Sequence, residues 1–469
     1  MKSYLTLCLF ILTISFVSTA LAADKPSVVS NSNPNLVFII ADDCTFREIG
    51  CYGGQALTPN IDQLATEGMR FERCFQAAPM CSPTRHNIYT GLYPVKSGAY
   101  PNHTNAYGYL KSVVHYLEPL GYRVAQSGKM HIGPTEVFPF EYLQAIGNNP
   151  NMELINTLFA EVSESKQPFC LFACSNEPHT PWNKGDPSVY PPEKVQLPPY
   201  IVDTPKVRDD FSRYLAEISY FDGQVGEILA MLDKHGLSEN TLVMVVSEQG
   251  NAFPFAKWTC YDHGLQSAMI VRWPGMVKPN TVTDAMVEYV DVTPTFIEAA
   301  GGSPIKDLDG RSFVPILKGQ TNHHKDYVYS LMTTRGIING SEAFAIRSIR
   351  SSHYKLILNL NHETKFTNAC TRSDYFQSMV EKAESGDATA KTLVNAYYYR
   401  PAVELFDLQA DPLQMNNLAG DSTFGKVIKH LKGKLHAWMD EQGDRGIATE
   451  MKAYDRMPKK SEPSKRKSQ

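Results

Sequence analysis

The stretch Asn35-Leu36-Val37-Phe38-Ile39-Ile40-Ala41-Asp42-Asp43 decides the fold. Asn35 to Ile40 is a short, almost unbroken apolar run, as expected of a strand buried on both faces. It then stops at two carboxylates. Three more runs follow the same plan. Tyr122 to Ala125 leads into Gly128-Lys129-Met130-His131, and Phe169 to Ala173 leads into Asn176-Glu177-Pro178-His179. Leu242 to Val246 leads into Ser247-Glu248-Gln249-Gly250. Helical patterns lie between them. The clearest is Asp210 to Leu232, where Phe211, Tyr214, Leu215, Ile218, Val225, Ile228, Leu229 and Leu232 share one face. Strands alternating with helices predict an α/β fold, a central mostly parallel sheet between helices. Loops at the carboxyl ends of such strands converge on one crevice. Two carboxylates, a Glu-Gln pair, two His and a Lys are therefore expected to meet in space.

Farther from this core the pattern changes. After about Gly319, Phe344 to Leu360 reads as two short strands around a Ser351-Ser352-His353 turn. Lys426 to Asp440 reads as a terminal amphipathic helix. The expected organisation is a large domain at 34–320, a smaller α+β C-terminal domain at 325–450, and a polar, disordered tail at 451–469. At the other end, residues 1–22 read as a secretory signal peptide. An apolar run from Leu5 to Val17 precedes small residues ending in Ala20-Leu21-Ala22. The run is too short to span a bilayer, and Leu7 before Cys8 is too large for a lipoprotein signal. The chain is expected to be exported, periplasmic or secreted, with no membrane anchor.

Composition removes other classes. The 469 residues carry 45 Lys+Arg against 49 Asp+Glu, a net charge of −4, with 20% charged and 43% hydrophobic residues and 30 each of Gly and Pro. No bias marks disorder, collagen or coiled coil. No net positive charge supports a polybasic nucleic-acid binder. Eight cysteines follow the signal: Cys44, Cys51, Cys74, Cys81, Cys170, Cys174, Cys260 and Cys370. Their spacing does not match a zinc site. Cys170 and Cys174 share one expected strand, too far apart for an unstrained bridge.

One cysteine stands out. Cys81-Ser82-Pro83-Thr84-Arg85 opens an expected helix through His86-Asn87-Ile88-Tyr89-Thr90-Gly91, and Pro83 suits its first turn. Cys81 would sit at the positive end of that helix, where an anion is favoured. A buried structural Cys and a thiolate nucleophile with a His partner are two readings of it.

A third reading comes from resemblance. Cys-x-Pro-Ser/Thr-Arg followed by Thr-Gly resembles the signature of the type I sulfatases. The similarity continues in family order. It includes Leu36 to Asp43, Thr58-Pro59-Asn60-Ile61-Asp62, Gly128 to His131 and Glu177-Pro178-His179-Thr180-Pro181. It extends through Trp273-Pro274-Gly275, Asp309-Gly310-Arg311-Ser312 and Glu404-Leu405-Phe406-Asp407-Leu408. The resemblance implies an alkaline-phosphatase-like fold. It also implies that Cys81 is oxidised by a maturation enzyme to formylglycine, whose hydrated aldehyde is the nucleophile. Asp42, Asp43, Glu248 and Gln249, with modified Cys81, would hold Ca2+, and their hard oxygen donors suit that ion. Arg85, a helical turn from Cys81, would reach the hydrate and the metal site. Lys129 and His131 are two apart and face the same way on an extended segment. They would hold the hydrate and accept its proton. His179 and Lys257 would bind sulfate and protonate the leaving group, His179 without a large pKa shift.

Most members carry Asp-Asn or Asp-His where this chain has Glu248-Gln249. Each side chain is one methylene longer, with donor types preserved. The Glu177-Pro178-His179 spacing and the run Arg400 to Leu408 look like the heparan N-sulfatase (sulfamidase) branch. Its substrate class would be a sulfated saccharide carrying a sulfate ester or sulfamate. A phosphodiester or phosphonate hydrolase of the same superfamily and an inactive sulfated-glycan binder are the alternatives. His103, Trp258, Tyr261 and His263 are weak candidates for the sugar pocket. Asn102-His103-Thr104 and Asn339-Gly340-Ser341 are glycosylation sequons, relevant in a eukaryotic secretory host.

Overall fold

The computed structural model of the protein describes residues 33–457, so the expected signal peptide and the tail from residue 458 lie outside the described residues. Its centre is a nine-stranded sheet. The main strands are β1 (Asn35–Ile40), β2 (Met69–Phe75), β3 (Arg123–Gly128), β4 (Phe169–Cys174), β5 (Thr241–Val246) and β6 (Gln266–Arg272). They lie in the order β2-β6-β5-β1-β4-β3. Thr281–Thr283 and Val287–Glu288 pair with β2, and Glu141–Tyr142 pairs with β3. β5, β1, β4 and β3 are mutually parallel, and β6 runs antiparallel to both of its neighbours. The sheet is mostly parallel, as the alternation implied.

β1 shows why. All of its residues are buried, and successive side chains point to opposite faces. Val37 and Ile39 enter one core with Val207, Phe211 and Leu215 of the long helix Pro205–Lys234. Leu36, Phe38 and Ile40 enter the other with Ile88, Val292 and Phe296. The long helix begins earlier than the apolar pattern, because the Thr204 hydroxyl accepts the Val207 N–H at 3.1 Å and caps it. β3 also outruns its expected end at Ala125. Gln126 and Ser127 extend it because their polar groups are satisfied inside: Ser127 Oγ donates to Leu143 O at 2.9 Å and Gln126 Nε2 to Lys129 O at 3.3 Å. Gly128 ends the strand at φ 88°, where a Cβ would collide with the carbonyl oxygen of Cys174. Only glycine fits both demands.

A second, antiparallel sheet holds β7 (Val328–Met332), β8 (Ile346–Arg350), β9 (Tyr354–Asn359) and β10 (Val403–Asp407) in chain order. One face packs Leu331, Ile349, Leu356 and Leu405 against Leu431, Leu435 and Trp438 of the helix Gly425–Gln442. The other face buttresses the segment after β5. Tyr261 donates its hydroxyl to Glu404 at 2.5 Å, and Asp262 lies 3.0 Å from Arg350 Nε and 2.7 Å from Lys355 Nζ.

Residues 451–457 were expected to belong to a polar tail. They are helical, with most side chains still exposed, and the short helix Ala453–Arg456 docks on the body. Arg456 donates to Gly98 O and Asn105 O, each at 3.0 Å, and its guanidinium lies 4.0 Å from the Tyr107 ring centroid. A planar fork that both bonds and stacks is the arrangement guanidinium favours. Among the described residues, no helix is long and apolar enough to cross a membrane, and none of the eight cysteines is bridged.

Candidate active site

The helix Cys81–Thr90 is buried along its whole length although its sequence is polar. Such burial demands hydrogen-bond partners. Thr84 Oγ1 donates to Ala78 O at 2.8 Å, Asn87 Nδ2 to Leu92 O at 2.7 Å and Thr90 Oγ1 to His86 O at 2.6 Å. Gly91 closes the helix at φ 69°. His86 is held with Nδ1 at 2.7 Å from Ser82 O, and burial pushes its pKa down to about 4. The fold therefore favours neutral His86, and this contribution is whole above the unfolded value of ~6.5. It is lost as pH falls from ~6.5 towards 4, about 3 kcal/mol at ~1.4 kcal/mol per unit. Urea midpoints should drop across that window and His86→Gln should flatten the drop. An unchanged slope would show that His86 titrates alike in both states.

No side chain caps the start of this helix. Cys81, its first residue, instead lines a cavity of about 930 Å³ together with Asp43, Lys129, His131, His179 and Lys257. They come from segments that follow five strands, with Lys129 and His131 sharing the one after β3. Asp42, Glu248 and Gln249 lie behind them, fully buried, with Arg85. Acidic and basic side chains interlock there. Lys129 Nζ bonds Asp42 Oδ2, Lys257 Nζ is 2.8 Å from Asp43 Oδ2, and Arg85 Nη2 is 2.6 Å from Glu248 Oε2. Gln249 Nε2 bridges Asp42 Oδ1 at 3.2 Å and Asp43 Oδ1 at 2.7 Å. Burial opposes the charge of Asp42, but Lys129, His179, Arg85 and Lys257 outweigh it and hold the carboxyl well below its usual range. Burial pushes Glu248 up against the pull of Arg85. Burial also works against the ammonium of Lys257, yet Asp43 and its neighbours keep its pKa above the ordinary value.

Several expectations need correction. His131 takes φ 52°, so the segment from Lys129 to His131 is not extended, and the period-two argument does not explain why both residues line the cavity. Arg85 is not among the lining residues. Its Nη1 donates to Lys129 O at 3.0 Å, so it braces the site from behind rather than reaching a group at Cys81. His179 does not keep an ordinary pKa, because burial and Lys257 lower it more than Asp43 raises it. Its Nδ1 donates to Thr180 O at 2.7 Å and its Nε2 lies 3.6 Å from Asp43 Oδ2. Trp258 lines the cavity, whereas Tyr261 and His263 do not. Tyr261 is engaged by Glu404, and His263 stacks on Tyr200 with ring centroids 4.1 Å apart. Asn102 is 2% exposed, with its Oδ1 3.9 Å from Cys81 Sγ, so it is a cavity residue and not a glycan acceptor. The sequon reading hid it. The sequence signal that could have found it is its place in the loop that returns from the Cys81 helix. The wall of Ala369, Cys370, Ser373 and Tyr375 was also missed, because it comes from a segment distant in sequence.

Among the described residues, no three His, Cys, Asp or Glu groups converge as a ready-made metal cluster. The donor chemistry nevertheless fits a hard cation. Glu248 Oε1 and Gln249 Oε1 are buried with no hydrogen-bond partner, beside two buried aspartates. Orphaned buried oxygens are costly unless something binds them.

Comparison with known proteins now decides the family. The sulfatase family model matches residues 34–303. The chain belongs to the sulfatase family. A second model, for the N-sulphoglucosamine sulphohydrolase C-terminal region, matches residues 250–369. The sulfatase is 32% identical to an ulvan-active sulfatase of Formosa agariphila over 431 residues, 90% of this chain and 82% of the relative. It is 28% identical to the N-sulphoglucosamine sulphohydrolase of Homo sapiens, covering 87% of this chain and 90% of the relative. Its fold matches a solved protein in complex with its substrate D-glucosamine-2-N,6-O-disulfate, with a TM-score of 0.67 at 19% identity, over 88% of this chain and 99% of the other. The alkaline-phosphatase-like α/β architecture and the activity class, sulfuric ester hydrolysis, are therefore those expected from the motifs.

Proposed function

We propose that this sulfatase removes a sulfate ester or sulfamate from a sulfated saccharide, using formylglycine formed from Cys81 and a Ca2+ ion. One observation carries the reading. Cys81 opens an uncapped buried helix in the same cavity as Lys129, His131, His179 and Lys257, with partnerless oxygens directly behind. The named saccharides of its relatives, ulvan and sulfated glucosamine, support a sulfated-glycan substrate. Trp258 and Tyr375 also line the cavity, and their rings are apolar surface of the kind that sugar rings pack on.

Asp42, Asp43, Glu248 and Gln249 would hold the cation, which would supply charge to steady a sulfate oxygen. Formylglycine at residue 81 would supply the nucleophile. The remaining work falls to this chain's own side chains. Lys257 and Lys129 present ammonium groups to an anionic sulfate. The uncapped N-terminus of the Cys81 helix adds partial positive charge. His179 holds its Nδ1 proton against Thr180 O, which leaves Nε2 as the atom that handles a proton at the leaving group. Burial keeps that ring neutral in the free enzyme, so an arriving anion would raise its proton affinity. His131 accepts a proton from a hydroxyl at residue 81.

The test is the mass of the peptide spanning Cys81, after expression with a formylglycine-generating enzyme, followed by assays on sulfated mono- and disaccharides. Formylglycine and Ca2+-dependent sulfate release are expected. Unmodified cysteine, or faster release of phosphate from matched esters, would overturn the reading.

A further inference from the structure

His103 and His131 make a direct ring-to-ring contact at the cavity. His131 Nε2 lies 2.7 Å from His103 Nδ1, with ring centroids 4.5 Å apart. Both residues take left-handed backbone conformations, φ 56° at His103 and φ 52° at His131. Such strain persists only where the surroundings impose it. The His103 loop is fixed on both sides. Asn102 is buried against Cys81, and the Thr104 hydroxyl bonds the carbonyl of Arg456, whose guanidinium also holds Gly98 and Asn105. His103 itself stays exposed, so its far nitrogen is free to bond water.

A nitrogen pair this close shares a single hydrogen between two neutral rings. There are two arrangements. If His103 donates, His131 must carry its own hydrogen on Nδ1. If His131 donates, its Nδ1 is a bare lone pair. His131 Nδ1 is buried and has no hydrogen-bond partner. An orphaned N–H is the rarer and costlier defect, and a lone pair suits the nearby cations Lys129 and Arg85 better. Burial first, then Lys129 and Arg85, push the His131 pKa down to about 3, and burial with His131 brings His103 to about 4, so both rings are neutral near pH 7.

We propose that His103 is a positioning residue, fixing His131 as the Nε2–H tautomer so that its partnerless Nδ1 keeps a lone pair as the proton acceptor. This rests on the reading above in which His131 takes a proton from a hydroxyl at residue 81. The balance is simple. The hydroxyl O–H bond would break with its electron pair left on oxygen, Nδ1 would gain the proton, and the imidazolium would keep its Nε2–H on His103 Nδ1 throughout. His103 exchanges no proton with substrate.

The experiment is a double-mutant cycle in the modified full-length enzyme, scored by kcat and KM against pH. His103→Phe removes the acceptor, and should lower kcat at least tenfold with KM changed less than twofold. His103→Asn restores an acceptor oxygen, and should recover kcat to within about threefold of wild type. In a His131→Ala background, His103→Phe should have no further effect. Selective nitrogen-15 histidine spectra should report His131 protonated at Nε2 in the wild type and a mixture of tautomers in His103→Phe. Equal losses in the Phe and Asn variants, a His103 effect that survives without His131, or Nδ1 protonation in the wild type would overturn the proposal. If instead His131→Ala leaves kcat unchanged, the proton-acceptor reading of His131 itself has failed. Thermal midpoints of all variants confirm that the comparison is between folded proteins.

Discussion

Replacement of Cys81 by alanine is expected to abolish turnover while leaving the fold in place. In the proposed mechanism the nucleophile at residue 81 works as a unit with the groups around it, so its removal should cost on the order of a millionfold in kcat. The structural cost should be small. Cys81 lines a cavity rather than filling a packed core, and its one polar contact is a 3.9 Å approach to Asn102. Losing one sulfur there is worth about 1 kcal/mol, or a midpoint shift of about 1 °C for a chain of 469 residues. Sulfate release and thermal unfolding of the same preparation check both halves. Residual turnover above one part in about a thousand would place the nucleophile elsewhere.

The second large effect concerns stability. Arg85 is wholly buried, and its Nη2 sits 2.6 Å from Glu248 Oε2. Removing one partner of a buried pair strands the other, at a cost of about 3–5 kcal/mol. Arg85→Met should therefore fall in that range by urea unfolding. The double variant Arg85→Met with Glu248→Gln should regain a large part of it, because no unpaired acidic group remains. If the single variant loses less than about 1 kcal/mol, the pair is not holding the site together. If the double variant is as unstable as the single one, the loss comes from packing rather than charge.

The sequence made the parallel sheet legible because β1, β4 and β5 are buried on both faces and cannot hide their apolar runs. Strand ends were less visible. Gln126 and Ser127 look like loop residues until Leu143 O and Lys129 O are seen to satisfy them. The site was legible through motifs standing at those strand ends, which is why Asp43, Cys81, Lys129, His131, His179 and Lys257 reappear around one cavity. What escaped depends on contacts between distant segments. The sequence places Arg85 one turn from Cys81, but only packing turns its guanidinium away towards Glu248. Trp258 and Tyr261 are three apart, and docking of β10 through Glu404 sends one outward to the cavity and ties the other inside. Asn102 carried a misleading local pattern whose meaning depends on exposure, which a string of letters does not carry.

Arg456 gives the assembly of this enzyme a chronology. The loop bearing Asn102 and His103 is tied down by a residue more than three hundred positions later in the chain. A nascent chain that has already made the Cys81 helix still lacks its latch until Arg456 has emerged. In the proposed reading, oxidation of Cys81, 3% exposed once folded, belongs to that interval. On that reading maturation and folding run in a race whose finish is set at Arg456 rather than at the motif itself.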